Sequence, residues 1–252
     1  MDLAQLADRL TEARVERAAI PQLSDDVPGL DLPAAYDVQR LQRAGRGDLI
    51  GWKLGVTSRA KQQQVGVDAP IYGFLATDHV LDVGEPLMVA DHINPRCEPE
   101  IVFVMGRDLD GAHVTATQVL SATAGVAVGI EVLDSRYTDY RFTMPDVVAD
   151  NASAGRYVVG TPVPPDGIDL RLVGVVLELN GEVVATASGA ASLGHPAAAV
   201  AWLVRSLASS GEGLRAGDVI LSGGLTAAVP VGTGDVVVAT VDRIGSVELA
   251  CR

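Results

Sequence analysis

The stretch Arg96-Cys97-Glu98-Pro99-Glu100-Ile101-Val102-Phe103-Val104-Met105 decides how this chain is read. Its second half is a short, apolar, β-branched-rich run of the kind that forms a strand. Alternate side chains of a strand share a face, so Glu98 and Glu100 project together, a few ångströms from each other. A solvent-facing edge tolerates such a pair. Here Ile101 to Met105 carry the strand into a core, where an unpaired acid is costly. Glu131 repeats the anomaly inside Val126-Ala127-Val128-Gly129-Ile130-Glu131-Val132-Leu133, an almost wholly apolar run. Three such carboxylates, with no His or Cys beside them at ligand spacing, form an oxygen-only donor set. That set suits a hard divalent ion, Mg²⁺ or Mn²⁺, better than Zn²⁺. Unrelated structural acids remain the alternative, because nothing in the residues pairs position 100 with position 131.

Upstream, the pattern has period two. Ile50, Trp52, Leu54 and Val56 point one way and Gly51, Lys53, Gly55 and Thr57 the other, which puts Lys53 on a glycine-flanked, open strand face. Ser58 is expected to cap a short helix holding Lys61 and three glutamines. Before this strand, Leu3, Leu6, Leu10 and Val15 recur at helical spacing from Asp2 to about Ala19. A second helix is expected near Pro33, capped by Asp31 and running through Tyr36, Val38 and Leu41. After about Leu81 the pattern is mostly strand. Val175 to Ala187 reads as a hairpin turning at Asn180-Gly181, and Asp218–Leu221, Val236–Asp242 and Gly245–Ala250 read as further strands. One late helix is expected from Pro196 to about Ser209, with His195 at its start. Helices first, then strands with one late helix, predict an α+β fold. We expect one main core with an extension: an N-terminal cover over 1–80 that carries the Lys53 strand, and a core over 81–252.

Composition narrows the function classes. Across 252 residues, 19 Lys and Arg stand against 32 Asp and Glu, a formal charge of −13, which argues against a nucleic-acid binder. No run approaches a membrane span, and Met1-Asp2-Leu3 lacks the basic start of a secretory signal, so a cytoplasmic location is expected. Cys97 and Cys251 read as two reduced thiols. No phosphate-binding glycine loop is present, which lowers nucleotide chemistry.

Five motifs then stand in order: Gly51-Trp52-Lys53-Leu54-Gly55-Val56-Thr57-Ser58, Arg96-Cys97-Glu98-Pro99-Glu100-Ile101, Glu131-Val132-Leu133-Asp134-Ser135-Arg136, Val148-Ala149-Asp150-Asn151-Ala152-Ser153 and Gly194-His195-Pro196. Together they resemble the hydratase/decarboxylase branch of the fumarylacetoacetate hydrolase superfamily, from about Asp31 to Leu249. The resemblance implies a mixed β-roll core with an α/β N-terminal part. It implies Mg²⁺ or Mn²⁺ held by Glu98, Glu100 and Glu131, with Lys53 as the functional lysine. Ser153 and Thr226 are small hydroxyls in matching motifs, which either hold substrate carboxylates or make turn and cap hydrogen bonds. His195 is expected to start a helix, and Asp134 with Arg136 to form a structural ion pair.

The branch separates two reactions, hydration of 2-hydroxypenta-2,4-dienoate and decarboxylation of 2-oxo-3-hexenedioate (4-oxalocrotonate) to that same dienoate. The hydratase pattern has an Asp after the Pro of Pro70-Ile71-Tyr72-Gly73, and this chain has Ile71. The segment from Gly223 to Pro230 also resembles the decarboxylases. Adding water needs an extra acid or base near the diene, and Ile71 supplies neither. The expectation is therefore a metal-dependent decarboxylase of a small 2-oxo dicarboxylic acid, the runner-up being the hydratase or another superfamily hydrolase. A homo-oligomer, and a complex with the pathway hydratase, are the partners the resemblance implies. A non-catalytic partner subunit is the third reading, against which the retained acids and Lys53 argue.

Overall fold

A computed structural model describes residues 2–58, 62 and 69–252. The helices are α1 (Leu3–Glu16), α2 (Leu23–Asp26), α3 (Leu32–Leu41), α4 (Ala116–Ala122), α5 (Met144–Ala149) and α6 (Pro196–Ala208). The first strands are β1 (Leu49–Gly55), β2 (Ile71–Ala76), β3 (Val80–Leu81), β4 (Arg96–Met105), β5 (Thr123–Leu133) and β6 (Ala154–Val159). They are followed by β7 (Gly174–Leu179), β8 (Glu182–Ser188), β9 (Val219–Leu221), β10 (Val229–Pro230), β11 (Val236–Val241) and β12 (Gly245–Ala250).

Eight strands form one mixed sheet in the order β2-β1-β9-β4-β5-β6-β3, with β10 pairing on β4. Four antiparallel strands, β12-β11-β7-β8, form a second. The expected α+β architecture is present, and most expected elements stand where the pattern put them. Asp31 accepts a hydrogen bond from Ala34 N at the start of α3, and Asn180 (φ 56°) and Gly181 (φ 81°) turn the β7–β8 hairpin. At α6, His195 accepts from Ala197 N as its capping residue. Three short helices, α2, α4 and α5, were not anticipated. The helix expected after Ser58 lies outside the described residues except for Gln62. No described helix is long and apolar enough to cross a membrane.

The period-two reading of the strands explains how the layers assemble. Trp52 and Leu54 of β1, Ile101 and Phe103 of β4, and Val126, Val128, Ile130 and Val132 of β5 turn to one face. There they pack with Val175, Leu177, Val237, Ala239 and Leu249 of the second sheet and with Val200, Leu203 and Val204 of α6. Burying each large apolar side chain contributes roughly 1.5–3 kcal/mol. The opposite face is concave, floored by Leu75, Val102, Ala127, Tyr157 and Leu221. A third cluster joins α1 and α3 to α5 and Ile71, and this helical layer closes over the concave side.

The sheet is strongly curled. Strands β1 and β5 are three steps apart, about 14 Å in a flat sheet at the usual spacing. Yet Lys53 Nζ of β1 lies 2.6 Å from Glu131 Oε1 of β5. Gly51 allows the close approach on one side of this bend, since a Cβ there would stand 1.9 Å from the carbonyl oxygen of Val219 in β9.

Candidate active site

In the antiparallel register of β4 and β5, Glu98 stands directly opposite Glu131, and Glu100 opposite Gly129. The three acids therefore meet on the concave face, while Cys97 faces the other way into the core. One carboxylate oxygen from each of Glu98, Glu100 and Glu131 lies within 4.8 Å of the other two. All three are buried. Glu100 Oε2 accepts from Gly223 N at 2.6 Å, but its Oε1 has no hydrogen-bond partner among the described residues. Gly223 sits at φ +103°, with a Cβ position only 2.1 Å from Thr57 Oγ1, so the donor is held by a residue that must be glycine.

The face around Lys53 is closed, which corrects the expectation of an open one. Lys53 is 1% exposed. Besides the ion pair with Glu131, it donates to the Ala152 carbonyl at 2.7 Å. That carbonyl is aimed by an unusual turn in which Asn151, Ala152 and Ser153 all have left-handed backbone, with φ of 50°, 51° and 57°. Each such non-glycine residue costs of order 1 kcal/mol or more. Asn151 holds the turn by accepting from Phe74 N at 2.8 Å and donating to Phe74 O at 3.0 Å.

Burial pushes the Glu100 carboxyl well above its ordinary range, and the neighbouring charge and hydrogen bond of Glu131 push it further. Glu131 is also raised by burial, against the opposing pull of Lys53. Three buried carboxylates bring one oxygen each within 4.8 Å of the others, and Glu100 Oε1 has no hydrogen-bond partner among the described residues. A divalent cation bound there would offset this crowding of acids and supply the partner that Glu100 Oε1 lacks. The residues present therefore fit a hard, oxygen-ligated ion.

Beside this cluster lies a cavity of about 620 Å³. Lys53, Glu98 and Glu131 line its polar end, and Ile71, Leu133, Phe142, Met144 and Val147 its apolar wall. Ser153 also lines it, with its hydroxyl donating to Asp150 Oδ2 at 3.4 Å. Thr226 is buried and donates to the Ala227 carbonyl at 3.0 Å, and the cavity wall in that segment is made by Gly224, Ala227 and Ala228. Arg136 does not pair with the Asp134 carboxylate. Its Nε donates to Asp150 and its Nη1 to the backbone carbonyls of Asp134 and Ala154, while Asp134 accepts from Ile93 N and Asn94 N. A carboxylate deep enough to be raised to about 6 by burial thus recruits the arginine instead.

One site residue escaped the sequence reading. Arg96 shares the face of Glu98 and Glu100, lines the cavity, and lays its guanidinium over the Tyr140 ring at 3.9 Å. Its buried Nε has no hydrogen-bond partner among the described residues. The period-two rule that paired the glutamates applies equally to position 96.

Residues 48–251 match the fumarylacetoacetate (FAA) hydrolase C-terminal family. The chain is 44% identical over 235 residues to a 4-oxalocrotonate decarboxylase of Pseudomonas sp. (strain CF600), covering 91% of this chain and 89% of that one. It is 41% identical over 248 residues to a 2-keto-4-pentenoate hydratase of Paraburkholderia xenovorans (strain LB400), covering 96% and 92%. A solved structure of 4-oxalocrotonate decarboxylase from Pseudomonas putida G7, complexed with magnesium and adipate, superposes with a TM-score of 0.95 at 39% identity. That superposition covers 99% of this chain and 97% of the other. With most of its length inside the family match and both lines of similarity running nearly end to end, the chain belongs to the fumarylacetoacetate hydrolase family.

Proposed function

We propose that this protein decarboxylates 2-oxo-3-hexenedioate to 2-hydroxypenta-2,4-dienoate with a divalent ion, Mg²⁺ or Mn²⁺, held by Glu98, Glu100 and Glu131. The observation that carries the reading is the pairing of the acid cluster with an aliphatic wall. Ile71 is buried against Gly55 on the cavity side, where addition of water needs an acid or base.

In the reaction the C5–C6 bond breaks and C6 leaves as CO₂. The electron pair spreads through C3–C4 onto the C2 oxygen, which a proton then converts to the enol. When bound, the cation supplies Lewis-acid stabilisation of the negative charge that develops at that oxygen. Lys53 commits two of its three N–H bonds to Glu131 and Ala152, leaving one to donate toward the substrate. Arg96 provides a second positive charge in the cavity wall for the distal carboxylate. Its pull favours the carboxylate over neutral CO₂, so it acts in binding and orientation rather than on the barrier. The apolar wall of Ile71, Phe142, Met144 and Val147 keeps water from the C5 end.

Hydration is the second reading, favoured by the 41% identity to a hydratase. The two separate when Mg²⁺-loaded protein receives each acid in turn. CO₂ release from the hexenedioate with only slow hydration of the dienoate supports decarboxylation, and an Arg96→Gln variant should raise KM for the dicarboxylate about tenfold or more. Efficient hydration without CO₂ release would promote the hydratase.

A further inference from the structure

A second cavity, of about 230 Å³, shares no lining residue with the first. It collects five arginines, Arg14, Arg17, Arg46, Arg136 and Arg156, in a chain whose formal charge is −13. It lies behind the catalytic face. Tyr157 is paired with Glu131 and belongs to the concave floor, so its neighbour Arg156 projects from the other side of β6.

Three of the five guanidiniums are neutralised. Arg46 Nε lies 2.5 Å from Asp78, Arg17 lies 2.7 Å from Asp91, and Arg136 is matched by Asp150. The remaining acid on the wall, Asp134, is held by the backbone N–H groups of Ile93 and Asn94. The Arg156 side chain has only a backbone partner, the carbonyl of Asp78, and the Arg14 side chain has no hydrogen bond or ion pair among the described residues. Both are half-buried. Burial and the neighbouring Arg136 and Arg156 push Arg14 down against the pull of Asp78, and burial together with Arg14 brings Arg46 to about 10. Like charges are being held together in a recess where water screens them poorly.

We propose that this cavity is an anion site that takes a compact, doubly charged oxyanion of the phosphate class, bound chiefly by Arg14 and Arg156. Two guanidiniums without a carboxylate partner match a dianion in charge, and their planar forks match its oxygens in geometry. The volume suits a small free ion rather than a nucleotide. The proposal does not depend on which reaction the first cavity performs.

The probe is sulfate, a tetrahedral dianion that competes weakly for Mg²⁺, titrated by calorimetry into the Mg²⁺-loaded protein at constant ionic strength. One saturable site per chain is expected. Arg14→Gln and Arg156→Gln should each weaken it about tenfold or more, with Mg²⁺ binding and CO₂ release unchanged. Arg14→Lys, a mild change on a half-exposed helix position, should weaken it less than Arg14→Gln. The absence of saturable heat, or equal affinity in the doubly substituted protein, would overturn the proposal. So would a change in oligomeric mass in that variant without any sulfate binding, which would assign the arginines to acidic side chains of a second copy.

Discussion

Lys53 shows how much a single burial state changes an expectation. On an open strand face, its replacement would barely touch stability. The structure instead buries it between Glu131 and the Ala152 carbonyl, so Lys53→Met leaves Glu131 and Glu100 without their cation. Breaking a buried pair from one side costs about 3–5 kcal/mol. We expect a clearly lowered melting temperature in metal-free Lys53→Met, partly restored by Mg²⁺, together with a large loss of turnover. An unchanged melting temperature in differential scanning calorimetry would contradict this account of the ion pair. The residue types of the site were legible because charged groups interrupt apolar, period-two runs. The burial of Lys53 was not, because its flanking glycines signal the close approach of neighbouring backbone as well as they signal open space. Arg136 was misread for a related reason, since its true partner Asp150 lies 14 residues away and only the fold brings them together.

Among the elements, most strands announced themselves, but β2 and the register did not. Alternation in β4 and β5 assigned each side chain to a face, but the pairing of Glu98 with Glu131 depends on where one strand is laid against the other. The curl that carries β1 toward β5 left no local signal. Helices α4 and α5 span 7 and 6 residues, too short to show a helical period. The reciprocal contact of Thr115 with Gln118, a Thr-x-x-Gln capping pattern, was the available clue to α4. The turn at 151–153 is the element on which the lysine depends. Asn151→Ala removes both hydrogen bonds to Phe74 and leaves those backbone groups buried, at about 1–3 kcal/mol each. It also relaxes the left-handed turn that aims the Ala152 carbonyl. Chemical denaturation should show the loss, and kcat should fall more than KM rises. A variant of normal turnover would mean that the turn does not position Lys53.

For the molecule as a whole, the two sheets and the helical layer set limits on pH as well as on shape. His79 is fully buried, with Ala76 N donating to its Nδ1 at 2.9 Å and Arg46 Nη2 lying 2.8 Å from its Nε2. Burial, and then Arg46, hold it well below 6.5. Asp78 stands 3.4 Å from Nδ1, but that lone pair is already taken by the Ala76 N–H. The unfolded chain therefore binds a proton that the native protein refuses. Stability is complete above about pH 6.5 and declines as pH falls from there toward the depressed native value, by at most about 1.4 kcal/mol per pH unit from this residue. Urea unfolding at pH 7 and pH 5 should show a steeper decline for the unmodified protein than for His79→Gln, and equal slopes would contradict the assignment. The central claim is that one divalent ion on Glu98, Glu100 and Glu131 makes this concave face a decarboxylase. It is tested most directly by stripping the protein of metal, adding back Mg²⁺ and following CO₂ release from 2-oxo-3-hexenedioate. We expect no release without metal, recovery that saturates at one ion per chain, and no recovery at the same Mg²⁺ concentrations in Glu100→Gln. CO₂ release that is indifferent to metal, or full recovery in Glu100→Gln, would contradict it.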